Sequence, residues 1–167
     1  MNLPAKNPNR VKAGKRSRNK GAQFERTIAK ALTKWFGFEV RRTPMSGAYG
    51  SHWNLGGDLM FNEEVPWFAE LKNTQVWEPS KITHPSSAFH KWVEKAHEEA
   101  PEGHAVIIIA KRNFGQPFFI ADIEYFESIG ISLWNLKYFF KINDKAAVLF
   151  QDFLSNARPE LVMSHGN

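Results

Sequence analysis

Apolar side chains at Phe24, Ile28, Ala31, Leu32 and Trp35 recur at the i, i+4, i+7, i+8 and i+11 spacing of a helix with one buried face. The stripe predicts a helix from about residues 19–21 to Phe36, stopped by Gly37. Residues 38–42 read as a strand. Residues 43–57 hold Pro44 and four glycines (Gly47, Gly50, Gly56, Gly57), a loop long enough to carry function. Residues 58–72 read as two short apolar strands around a polar turn, a hairpin centred on Glu64. After a loop over 79–85, Ser86 or Ser87 caps a helix to about Ala100, with Phe89, Trp92, Val93 and Ala96 inward. Residues 104–111 form a buried strand, 113–116 a turn and 117–123 another strand. Residues 124–154 read as mainly helical, with Asn143 or Asp144 capping the last segment, and 158–167 as a loose tail. The sum is an α/β chain, a mixed sheet between helices in the order α-β-β-β-α-β-β-α.

At 167 residues the chain is one domain with a real core, over residues 21–157. Its longest clean apolar run, residues 105–110, is far short of a membrane span. The basic N-terminus has no apolar stretch behind it, which argues against a secretory signal. No cysteine is present, so disulfides and thiolate-bound zinc are excluded and a reducing cytoplasm fits, that of a host cell if the source is viral.

Charge changes the picture at one end. Residues 1–20 carry Lys6, Arg10, Lys12, Lys15, Arg16, Arg18 and Lys20 with no acid, whereas the rest of the chain holds 15 basic against 17 acidic residues. This arm, rich in Asn, Pro and Gly, reads as disordered when free and as an attractor of polyanions such as DNA. A solubilising tail is the plainer alternative.

The chemistry concentrates at Gly57-Asp58-Leu59 and Glu70-Leu71-Lys72. In a hairpin centred on Glu64, Asp58 opposes Glu70 on one sheet face, with Cβ atoms roughly 5 Å apart. Alternation brings Lys72 to the same face. Two carboxylates so placed need positive charge between them. With an ammonium beside them they could hold Mg²⁺ and polarise a phosphate, with the Leu71 carbonyl as a further oxygen ligand. A bare Glu-x-Lys triplet is common surface decoration; the opposed Asp58 is what raises it above that. Glu25 borders the first helix's apolar stripe and is a candidate third acid, or else a surface glutamate paired with Lys20 or Arg26. The six histidines show no HExxH or zinc-finger spacing, and no glycine loop leads to GK[ST], so no nucleotide cofactor is expected. One exposed aromatic could wedge between DNA bases.

Lys20-Gly21-Ala22-Gln23-Phe24-Glu25-Arg26, Gly37-Phe38-Glu39-Val40-Arg41-Arg42, Ser46, Asp58 and Glu70-Leu71-Lys72, in that order, resemble the archaeal-type Holliday-junction resolvases of the PD-(D/E)XK nuclease superfamily. The resemblance covers about residues 20–123 and points towards a phage-encoded enzyme. It implies a restriction-endonuclease-like fold over a core of residues 21–123, with 124–157 a mainly helical extension that it does not explain. It implies Glu25, Asp58, Glu70 and Lys72 as the catalytic set. It also implies DNA contacts through Arg26, Arg42 and Ser46, to which the charge of the basic arm adds Lys15, Arg16, Arg18 and Lys20. The family cuts four-way DNA junctions as a homodimer with Mg²⁺, for which Mn²⁺ can substitute. Gly57 stands where the superfamily name has proline, and the 43–57 loop looks longer than the family's, leaving open what His52 or Trp53 contacts. The rival readings are a restriction, homing or repair nuclease on linear duplex, and a non-catalytic DNA-binding protein.

Overall fold

The computed structural model describes residues 8–44, 57–75 and 87–164. Helix α1 (Pro8–Phe36) leads to β1 (Arg41–Arg42), β2 (Leu59–Met60) and β3 (Trp67–Thr74). Helix α2 (Ala88–Glu99), β4 (Ala105–Arg112), β5 (Phe118–Asp122) and α3 (Ile123–Ser128) follow. A single turn of 3₁₀ helix (Leu133–Asn135), β6 (Phe139–Ile142), β7 (Lys145–Leu149), α4 (Phe150–Asn156) and α5 (Pro159–Met163) complete the chain. No helix among the described residues is long and apolar enough to cross a membrane.

Alternation along β3 sets the layers. Trp67, Ala69 and Leu71 join the larger core, built with α1, Phe126 of α3 and Phe153 of α4, while Phe68 joins a smaller one under Phe89 and Ala96 of α2. Strands run in the order β3-β4-β5-β7-β6. β3 and β4 are parallel, from Trp67 opposite Ala105 to Thr74 opposite Arg112, with α2 between them in the chain. The remaining pairs are antiparallel. β4 is apolar on both faces because helices cover both. This is the expected mixed sheet flanked by helices, and it fits a restriction-endonuclease-like fold.

Trp67, only 1% exposed, holds the larger core together. Its ring lies 5.4 Å from Phe36, 5.5 Å from Phe119 and 6.0 Å from Phe153, and its indole N–H donates to Tyr125 Oη at 2.5 Å. Trp35 donates to the Leu154 carbonyl at 2.9 Å, tying α1 to α4. Each such aromatic pair adds about 1 kcal/mol beyond the area it buries.

Four expectations need correction. Helix α1 begins at Pro8, well before its apolar stripe, so residues 8–20 are helical. Proline opens a helix without losing a needed N–H, and the Ala, Lys and Arg that follow have high intrinsic helix propensity. The 58–72 hairpin is not closed as a ladder. β2 pairs with β1, Arg41 opposite Met60, and meets β3 through an isolated parallel bridge between Gly57 and Ala69. Pro66 cannot donate to a ladder, and Gly57 at φ +84° turns the chain away.

The extension over 124–157 is not mainly helical: it carries β6 and β7. Asn143 at φ 54° and Asp144 form the two-residue turn of a hairpin rather than a helix cap. A short apolar run such as Ala146-Ala147-Val148 reads alike as helix or buried strand. The tail is not loose throughout, because α5 buries Val162 in the larger core.

Candidate active site

The end of β1 fixes the start of the site. Thr43 N–H donates to the Asp58 carbonyl at 3.0 Å, and Thr43 Oγ1 donates to the Gly57 carbonyl at 2.8 Å. A Cβ added at Gly57 would lie 2.4 Å from the Ala69 carbonyl oxygen, so the close approach of this segment to β3 requires glycine. Proline, locked near φ −65°, cannot take its place. Asp58 N–H then donates to Ala69 O at 2.7 Å, and Asp58 Oδ2 accepts the Leu71 N–H at 2.7 Å. Backbone and carboxylate of one residue thus occupy two successive positions on the outer edge of β3.

Glu70 and Lys72 share the β3 face opposite Leu71 and form an ion pair with each other. Asp58 is 9% exposed. Burial, then repulsion from Glu70, pushes its carboxyl up from 3.8 to about 6; the Leu71 amide and Lys72 oppose the rise, and Glu25 adds to it. Glu25 is equally buried and is bound by Arg42 across the α1–β1 junction. Among the described residues, three carboxylates therefore face two cations, a surplus of one negative charge.

That surplus, with its hard oxygen donors, fits a divalent cation such as Mg²⁺. Asp58 and Glu70 are the available carboxylates. Leu71 turns its N–H to the open edge, and an extended residue turns its carbonyl to the same side, which suits the expected oxygen ligand. Among the described residues no group of three His, Cys, Asp or Glu is gathered tightly enough to hold an ion unaided. Glu25 is within electrostatic reach of Asp58 but is directed to Arg42.

The structure thus brings Glu25, Asp58, Glu70 and Lys72 into one neighbourhood. The expected DNA contacts fare differently. Arg16, Arg18 and Arg26 are exposed on α1. Lys20 is half-buried and donates to Asn113 Oδ1 in the β4–β5 turn, and Arg42 is engaged with Glu25. Lys15 is helical in its backbone, its side chain lying outside what is described, as do Ser46, His52 and Trp53 entirely. Sequence reasoning missed the Glu25–Arg42 pair and the clamp by Thr43, because neither spacing carries a local signal.

The family model described as "Phage putative PDDEXK endonuclease" matches residues 16–152. The match includes Glu25, Asp58, Glu70 and Lys72, and also β6 and β7, which belong to the matched unit rather than to an appendage. No curated protein and no solved structure matches the chain.

Proposed function

The chain belongs to this family of phage PDDEXK endonucleases, and from that premise we propose that it is a Mg²⁺-dependent DNA endonuclease that resolves four-way junctions as a homodimer. The observation that carries the reading is Asp58 seated by the Leu71 amide beside Glu70, with Lys72 on the same strand.

Asp58 and Glu70, with the Leu71 carbonyl, would hold the cation, and Glu25 would complete the set on leaving Arg42. A divalent cation bound there supplies polarisation of the scissile phosphate and a more acidic water. Lys72 releases Glu70 to that role and turns its ammonium to the charge developing on the phosphate. Arg42, freed in the same exchange, gains a phosphate as partner. Arg16, Arg18 and Arg26 line α1 for the DNA backbone, with the basic residues before them adding salt-dependent affinity. A two-fold dimer suits a substrate that needs paired nicks.

The test is strand cleavage of an end-labelled four-way junction beside linear duplex of the same sequence, with Mg²⁺ or EDTA and with Asp58→Asn as control. Paired, Mg²⁺-dependent nicks near the junction centre, absent in the variant, are expected. Duplex cut at least as well as the junction would keep the nuclease and discard the resolvase. Tight binding by both proteins with no cutting would make this a binding module.

A further inference from the structure

Three of the large apolar side chains exposed among the described residues crowd the far edge of the sheet: Trp134 at 87%, Tyr138 at 58% and Phe140 at 45%. Trp134 and Tyr138 precede β6 and Phe140 lies in it, and among the described residues no strand pairs with its outer edge. Trp134 stands edge-on to Phe139 with ring centroids 5.6 Å apart, and the two wall a groove of about 620 Å³ that also takes in Lys141. Lys137 sits 5.9 Å from the Tyr138 ring centroid. Residues 128–143 contain these two lysines and no acid, and Glu127 is the acid on the groove's wall.

Phe140 packs 5.9 Å from Phe118 on the opposite face of β6, so the stacking surface is the groove of Trp134 and Phe139 with Lys141, beside Lys137 and Tyr138. Aromatic walls beside lysines suit one ligand chemistry, bases that stack between phosphates that need neutralising. A second copy of the chain is a poorer fit, because pairing β6 with itself would bring the lysines of both copies together. Stacking requires bases free of their own partners. We infer that the β6 edge holds an unpaired segment of DNA. Four inter-strand steps separate β3 from β6, ~19 Å at ~4.8 Å each, so the held segment lies apart from the bond to be cut. The choice of DNA as polyanion rests on the nuclease reading.

The experiment measures binding of the full chain to a fluorescein-labelled oligothymidylate and to a duplex, both in EDTA so that no cleavage enters. Trp134→Ala should weaken oligothymidylate binding roughly tenfold while duplex affinity changes less than about twofold, and Trp134→Phe should restore it. Lys137→Ala with Lys141→Ala should lower the single-strand salt slope by roughly 1. Trp134 is exposed, so its loss leaves the core whole, which a thermal melt checks. Unchanged oligothymidylate affinity in both variants overturns the inference. So does a shift from dimer to monomer by sedimentation in Trp134→Ala with DNA affinity unaltered, which would assign the edge to a second copy. Dependence on Trp134 in a protein that cuts nothing with Mg²⁺ would sink the nuclease reading and leave this one standing.

Discussion

Asp58 Oδ2 accepts the Leu71 amide at 2.7 Å, and so takes on the edge of β3 the place that a neighbouring strand's carbonyl would fill. The acid is held by the strand that carries Glu70 and Lys72, which makes its position independent of any bound ion. Replacements at this residue then separate by what they do to that amide.

Asp58→Asn keeps an acceptor for Leu71 and removes the charge. In EDTA at pH 7.5 it should raise unfolding stability by up to about 3 kcal/mol, since ionising a carboxyl held near 6 rather than 3.8 costs that much. Cleavage should fall about 100-fold or more. Asp58→Ala also removes the charge but orphans the amide, giving back about 1–3 kcal/mol. Urea denaturation of the three proteins checks the order, and equal stabilities would refute the strain assigned to Asp58.

The pH dependence follows with its sign. Asp58 is raised in the folded state, so the fold holds its proton more tightly than the unfolded chain does between about pH 4 and 6. Its contribution to stability is present in full below about 4 and is lost as pH rises through about 6. In EDTA, the gap between wild type and Asp58→Asn should therefore widen from pH 4 to pH 7 and then level off. Mg²⁺ affinity should run the other way, growing up to about pH 6, as titration calorimetry across that window would reveal.

Gly57→Ala meets a left-handed backbone and the Ala69 carbonyl together. A destabilisation of about 3 kcal/mol is expected, with activity lost as the Asp58 segment is pushed off β3. A thermal melt within a degree of wild type would show that this approach is not tight.

Tyr125→Phe tests the core away from the site. It leaves the buried Trp67 N–H with no acceptor, at a cost of about 1–2 kcal/mol. Cleavage by the folded protein should be unchanged, so a fall in kcat would mean that Trp67 communicates with β3 chemistry.

Deleting residues 1–18 removes six basic residues and the first turns of α1. DNA affinity should fall and its salt dependence flatten, while Mg²⁺ affinity at Asp58 and Glu70 stays. A truncated protein with the full salt slope would put the DNA path elsewhere.

That Glu70 and Lys72 share a face was legible because a strand's alternation fixes it whatever the strand pairs with, whereas Asp58 was placed through a hairpin ladder that the fold does not form. The register was not legible. It turns on Pro66, which has no N–H for a ladder, and on Gly57 adopting φ +84° against Ala69, and the second depends on contacts with β1 and β3 that no local pattern encodes. The helical stripe of α1 marked the part that packs on Trp67, and fell silent where the helix continues towards Pro8 with no apolar period. At Asn143-Asp144 the same residue types serve helix caps and hairpin turns, and only the pairing of β6 with β7 decides between them.

An open strand edge invites a foreign strand to add to it, and β3 has such an edge where the fold needs access to Glu70. Asp58 occupies it with a carboxylate that saturates the Leu71 amide and meets an incoming backbone with charge. The residue whose ionisation burdens the isolated fold thus also occupies a site of strand addition. Variants that shed this acid for the sake of a firmer fold should be the ones that aggregate on storage.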